Sequence, residues 1–209
     1  MAFLPILRQI SSTKPAGPSR TFTELQVVRA LLILGERKIL GRTLLSRLLK
    51  TGSGAIRTMI SDLEEHGIIN IEKSGCSLTL KGLNVYKEIH EKIPKVTKID
   101  AGRLSISNFD AAALVNDVSK LIHHGIEQRD AAIRVGAKGA TTLIYENNKF
   151  TLPRGSIDCA KDFPSDIWIM LEKLFNPSDG DVIIVSSADN EESAIYGSLA
   201  GALTLVDDT

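Results

Sequence analysis

Between residues 21 and 93 the apolar positions keep helical spacing in four separate stretches and depart from it once, for two short strands. Leu25, Val28, Leu31 and Leu32 form the first helical face, and Thr21 with Glu24 has the spacing of a capping box at its start. Residues 42–50 predict a second helix with Leu44, Leu45, Leu48 and Leu49 turned inward. Thr51-Gly52-Ser53-Gly54 reads as a turn, with Ser53 as the N-cap of a third helix. That helix buries Ile56, Met59, Ile60 and Leu63 and stops at Gly67. Residues 68–72 and 76–80 read as strands joined at Lys73-Ser74-Gly75. A fourth helix over 82–93 carries Leu83, Tyr86, Ile89 and Ile93 on one face and ends at Pro94.

The second half alternates element types. Residues 111–118 suit a strand or a helix, 127–135 a helix, and 140–146 with 149–152 a hairpin around Asn147-Asn148. A helix over 165–175 lies between Pro164 and Pro177. Val182-Ile183-Ile184-Val185 marks a buried strand, and 190–206 a last helix rich in small residues. The pattern predicts an α/β or α+β protein. Its parts are a flexible N-terminal tail over 1–20, a winged helix-turn-helix over 21–94, a linker over 95–108 and a small α/β domain over 109–209. The stretch after Pro94 also suits a strand leading into that domain.

A formal net charge of zero, taken alone, argues against a nucleic-acid binder. Its distribution reverses that. Residues 1–98 carry 16 Lys and Arg against 8 Asp and Glu, a net of +8, which leaves −8 for residues 99–209. A basic half points to a polyanion, and the acidic half would turn away from it. Two cysteines far apart, Cys76 and Cys159, indicate neither a zinc ribbon nor a disulfide framework, and suit a reducing cytoplasm. The apolar start is too short for a signal-peptide core and is interrupted by Pro5. No apolar run approaches a membrane span.

The winged-helix pattern assigns roles. A third helix of this kind enters the major groove, where base edges carry a readable code. Its outward face sets Ser53, Arg57 and Ser61 at four-residue spacing, with Thr58 beside them. Arg57 is the candidate base reader, because its fork pairs with guanine. Lys73 and Ser74 at the hairpin tip suit backbone phosphate, and Arg42, Arg47 and Lys50 add phosphate contacts. Glu64 and Glu65 oppose DNA if they lie close to it.

Thr51-Gly-Ser-Gly-Ala-Ile-Arg-Thr-Met-Ile-Ser-Asp-Leu-Glu-Glu-His-Gly-Ile-Ile, followed by Ser74-Gly-Cys-Ser-Leu-Thr-Leu-Lys-Gly82, resembles the N-terminal domain of the central glycolytic genes regulator family. The resemblance implies a winged helix that binds DNA. That family's sugar-phosphate domain is far longer than the stretch left here, so no sugar-phosphate ligand follows. Gly125-Ile-Glu-Gln-Arg-Asp-Ala-Ala and Gly136-Ala-Lys-Gly-Ala-Thr-Thr-Leu resemble uncharacterised archaeal C-terminal regulator domains. That likeness implies a companion domain for sensing or oligomerisation.

In the second half, Arg129, Asp130, Lys138, Thr141 and Thr142 concentrate polar groups and are the candidate contacts for a polar ligand. The glycine spacing there does not fit a phosphate loop. Asp189 reads as the N-cap of the last helix. His123-His124 has no companions for a metal shell, and no nucleophile elbow occurs, so neither enzyme, cofactor nor metal is expected. The expectation is a cytoplasmic DNA-binding transcription regulator, a homodimer on double-stranded DNA, with a small-molecule effector and no membrane partner. The fourth helix, and the last one through Ala194, Gly197, Ala200 and Gly201, offer faces for the dimer. The rival readings are a winged-helix protein-interaction module and a small-molecule-processing enzyme with an appended winged helix.

Overall fold

The computed structural model describes residues 3–11, 22–155 and 157–207. The chain divides into two units, Met1–His90 and Glu91–Thr209. Both are built on antiparallel sheets with helices against them, an α+β fold.

The first unit runs α1 (Phe3–Ser11), α2 (Glu24–Arg37), β1 (Ile39–Leu40), α3 (Arg42–Leu49), α4 (Ser53–Glu65), β2 (Ile69–Glu72), β3 (Gly75–Leu78) and α5 (Leu80–Lys92). Its sheet order is β1-β3-β2. Helix α2 is central: Val27, Val28, Ala30, Leu31, Leu32 and Leu34 are buried around most of its circumference. A helix apolar on more than one face needs cover on each, and α1 supplies part of it with Leu7 and Ile10, both fully buried.

Helix α1 corrects the expected tail over Phe3–Ser11; residues 12–21 lie outside the described residues. Pro5 does not break α1 because the first-turn amides of a helix have no intrahelical partner to lose. The capping box is at Thr23 and Gln26, two residues beyond the expected pair. There the Gln26 amide donates to Thr23 Oγ1 at 3.3 Å, and the Thr23 amide donates to Gln26 Oε1 at 2.8 Å. On α3, Leu45 and Leu49 are buried, Leu48 is half-buried, and Leu44 is 37% exposed instead of inward.

Hydrogen bonds hold the turn between α3 and α4. Gln26 Nε2 donates to Thr51 Oγ1 at 2.9 Å, Thr51 Oγ1 to the Leu49 carbonyl at 3.0 Å, and Ser46 Oγ to the Thr51 carbonyl at 2.6 Å. Past the hairpin, the Leu-Thr-Leu-Lys-Gly run acquires a physical meaning. Thr79 Oγ1 caps α5 by accepting the Gly82 amide at 3.0 Å. Gly82 has no Cβ because the Ile68 carbonyl oxygen occupies that place.

The second unit runs β4 (Lys95–Ile99), β5 (Phe109–Val115), α6 (Ile126–Arg134), β6 (Gly139–Glu146), β7 (Lys149–Thr151), α7 (Cys159–Asp162), α8 (Ile167–Phe175), β8 (Val182–Ala188) and α9 (Glu191–Asp207). The sheet order is β4-β5-β8-β6-β7, every neighbouring pair antiparallel. This corrects one expectation. Residues 95–108 are not a free linker: the stretch after Pro94 opens with the strand that its other reading suggests, since β4 pairs with β5 from Lys95↔Leu114 to Ile99↔Asp110.

Leu114, Leu143, Tyr145, Ile183 and Val185 form a core with Trp168, Leu171 and Phe175 of α8. Ala111, Ala188 and Ala194 form a second cluster, with α9 against the sheet. Strand β8 is therefore buried at every position.

The last helix uses its small residues inside its own unit. A Cβ on Gly197 would fall 2.8 Å from Ala137 Cβ and 2.9 Å from Ser186 Oγ. One on Gly201 would fall 2.8 Å from Ile184 Cγ2. Ala194 and Ala200 are buried with them. The face proposed from sequence for a dimer is occupied. Helix α5 likewise buries Ile89, and Tyr86 sits on α2 where a Cβ on Gly35 would enter its ring.

Candidate nucleic-acid interface

Helix α4 turns Ile56, Met59, Ile60 and Leu63 into the core and leaves Ser53, Arg57 and Ser61 exposed along the opposite line. The sequence periodicity places all seven correctly. The helix start differs from expectation. Gly52 is the N-cap, without a side-chain hydrogen bond, and Ser53 is the first helical residue. Gly52 and Gly54 keep negative φ, and a Cβ on either would meet nothing within 4 Å. Neither packing nor backbone conformation requires glycine there, and no side chain caps the first amides of α4. In the sequence alone the two glycines have the pattern of turn residues. Thr58 does not present its hydroxyl: Oγ1 donates to the Gly54 carbonyl at 3.2 Å.

Arg42, at the start of α3, and Arg47, in its last turn, are exposed. Lys50 closes α3 in the left-handed conformation, with φ 49° and ψ 36°. Lys73 and Ser74 form the tip of the β2–β3 hairpin, between Glu72 and Gly75, which pair across it. Ser74 Oγ donates to Glu72 Oε2 at 3.4 Å, so the tip carries one acid beside its cation. Gly75 lets the hairpin lie on β1, since a Cβ there would meet the Leu40 carbonyl oxygen at 2.6 Å. No described ion pair engages Arg42, Arg47, Arg57 or Lys73. Burial pushes the Cys76 thiol above its ordinary range; Glu64 adds to the shift and Arg42 opposes it.

In the second unit the five polar ligand candidates do not gather. Arg129 is tied to its neighbour Asp130, Nη2 to Oδ1 at 3.0 Å. Thr141 and Thr142 are successive residues of β6 and so point to opposite faces of the sheet. Thr142 is buried beside Gly125, its hydroxyl without a hydrogen-bond partner. Lys138 pairs with Asp189 at 2.8 Å. Asp189 is not the cap of α9. Asn190 Oδ1 accepts the Ser193 amide at 2.9 Å, and Asp189 accepts from Ser107 Oγ at 2.9 Å. The bonds from Lys138 and Ser107 hold the Asp189 carboxyl below its ordinary range.

A polar cleft of about 440 Å³ opens beside these residues, lined by Lys98, Asp100, Ser105, Ser107, Asp110 and Glu191 among others. Asp110 Oδ1 accepts from Ser105 Oγ at 2.9 Å and Ser187 Oγ at 2.5 Å, while Lys98 meets Glu191 at 3.0 Å. Periodicity cannot find such a site, because its groups come from β4, β5, the loop between them and the start of α9. His123 and His124 are exposed, and no three described His, Cys, Asp or Glu residues gather as for a metal ion. No described helix is long and apolar enough to cross a membrane.

Comparison with known proteins bears on the fold. Residues 106–205 match a domain of unknown function, DUF4443. The comparison with curated proteins returns no match. Among solved structures, the hypothetical protein PH0730 from Pyrococcus horikoshii OT3 is similar at a TM-score of 0.73 and 24% identity. The likeness covers 90% of this chain and 94% of that one, and it establishes a shared fold with an archaeal protein.

Proposed function

We propose that this protein is a DNA-binding transcription regulator whose first unit docks α4 in the major groove of duplex DNA. One observation carries the reading: the exposed line Ser53, Arg57, Ser61 begins at an α4 N-terminus left open by Gly52 and Gly54. Open amides at a helix start suit a backbone phosphate, and the Arg57 fork suits a guanine edge. Arg42, Arg47 and Lys73, exposed and outside any described ion pair, supply further cations for phosphates. The sequence resemblance to the central glycolytic genes regulator winged helix and the +8 charge of the basic half agree with this. The second unit serves assembly or sensing, with the cleft beside Asp110 as the place for a polar small-molecule effector.

The test begins by selecting bound sequences from random duplexes with the whole protein. On the selected site, Arg57→Ala costs about 1–3 kcal/mol and relaxes preference at one base pair. Lys73→Ala weakens selected and random duplexes alike. Unchanged sequence preference in Arg57→Ala removes Arg57 as a base reader, and failure to enrich any duplex removes the function.

A further inference from the structure

Helix α8 is apolar on two faces. Ile167, Trp168, Leu171 and Phe175 fill the core, while Ile169 points outward at 54% exposure. Around Ile169 lies an open groove of about 510 Å³ lined by Asp166, Ile169, Met170, Lys173 and Leu174. Phe163, just ahead of the helix, is also 54% exposed. Surface leucines and isoleucines scattered singly need no explanation, but a grouped apolar face with charged ends is the pattern of an interaction surface.

The arrangement of the charges identifies the occupant. Asp166 lies three residues before Ile169, and Lys173 lies three residues after Met170. The face therefore reads acid, apolar, apolar, base, symmetric in spacing and opposite in sign about its midpoint. Asp166, the N-cap, and Lys173 lie seven residues apart, a rise of about 10.5 Å along the helix. Two such faces laid antiparallel about a two-fold axis put Asp166 against the partner's Lys173 at both ends, and Ile169 against the partner's Met170 between them. A two-fold interface requires such self-complementarity, residue i meeting j while j meets i. Laid parallel, the same faces set acid on acid and base on base.

We infer that the outward face of α8 binds a second copy of this chain in an antiparallel, two-fold pair. The assembly does not depend on the first unit binding DNA. One nine-residue helix presents less than a standard interface, so the affinity is micromolar rather than nanomolar.

Sedimentation equilibrium of the whole protein over a micromolar concentration series tests this. The wild type shows a monomer–dimer equilibrium. Ile169→Asp places a carboxylate at the centre of the pair twice over and weakens it about 100-fold or more. Asp166→Lys and Lys173→Asp each oppose like charges at both ends and weaken self-association about 5- to 10-fold. The two single variants mixed in equal amounts regain wild-type association as a heterodimer, and the double variant regains it alone. A purely structural role for either residue produces no such rescue. All four variants alter exposed side chains, and unchanged thermal melts show that they fold. A strictly monomeric wild type overturns the inference, as expected if this face is bare or meets another protein. So does a dimer indifferent to Ile169→Asp, or charge variants that show no rescue on mixing.

Discussion

Truncating Leu7 to alanine separates a structural α1 from a dispensable leader. Leu7 and Ile10 are fully buried, one helical turn apart, and α1 packs against α2 and α4. A nine-residue helix is not stable alone in water, so its burial holds it in place. A leucine or isoleucine cut to alanine in such a site costs about 2–5 kcal/mol, the transfer loss plus the cavity left behind. A domain this size has only about 5–15 kcal/mol in total, and each kcal/mol is worth about 4–8 °C in its melting temperature. Leu7→Ala and Ile10→Ala should therefore each lower the first unit's melting temperature by about 8 °C or more, as about 2 kcal/mol at least implies. Pro5→Ala, at an exposed first-turn position, should fall within about 0.5 kcal/mol of wild type. Urea unfolding followed by two probes isolates the effect. The chain's one tryptophan, Trp168, is buried in the second unit, so its fluorescence reports that unit while circular dichroism reports both. The circular-dichroism midpoint of the first unit should move and the fluorescence midpoint should not. A Leu7→Ala protein with wild-type midpoints in both signals refutes the argument.

Two further substitutions and reagents probe the packing. Gly35→Ala gains about 1 kcal/mol of helix propensity, but its Cβ enters the Tyr86 ring; overpacking of about 1–3 kcal/mol wins, and urea midpoints should fall. Adding Tyr86→Ala should reverse the loss, with a coupling of about 1 kcal/mol or more in the double-mutant cycle. Cys76 and Cys159 are buried with their thiols pushed up chiefly by burial, so both should resist a thiol reagent at neutral pH until the unit that holds each unfolds. Fast labelling of either in the native protein would contradict the packing described.

The first unit was largely legible because its helices, apart from the central α2, have one buried face each, and periodicity reports that directly. Val28, Leu31, Ile56 and Leu63 fell where the pattern put them. Leu44 and Leu45 mark the limit, since a run of four leucines in one short helix does not reveal which member faces out. The sequence pattern does not reveal α1, because Pro5 interrupts the apolar start, yet a first-turn proline removes no intrahelical bond. In the second unit the run from Val182 to Val185 marks a buried strand, and β8 is one. Its cause is that helices cover both faces, and a strand buried on both sides loses its alternation whichever way its neighbours run. The small residues of α9 suggested a dimer contact and instead let the helix lie on Ile184 and Ser186. The Asp110–Ser187 and Lys138–Asp189 contacts join residues 51 or more positions apart, a distance that no local pattern spans.

The central claim is that the first unit binds duplex DNA through its cations, and salt dependence tests it most directly. Fluorescence anisotropy of the whole protein on a labelled duplex, repeated across salt concentrations, gives the slope of log K against log salt. Four phosphate contacts from Arg42, Arg47, Lys50 and Lys73 give a slope of about −3.6 per bound winged helix, a loss of roughly 100-fold between about 50 and 200 mM salt. Lys73→Ala should flatten that slope by about 1. Absence of binding at the lowest salt, or a slope near zero, would contradict the account.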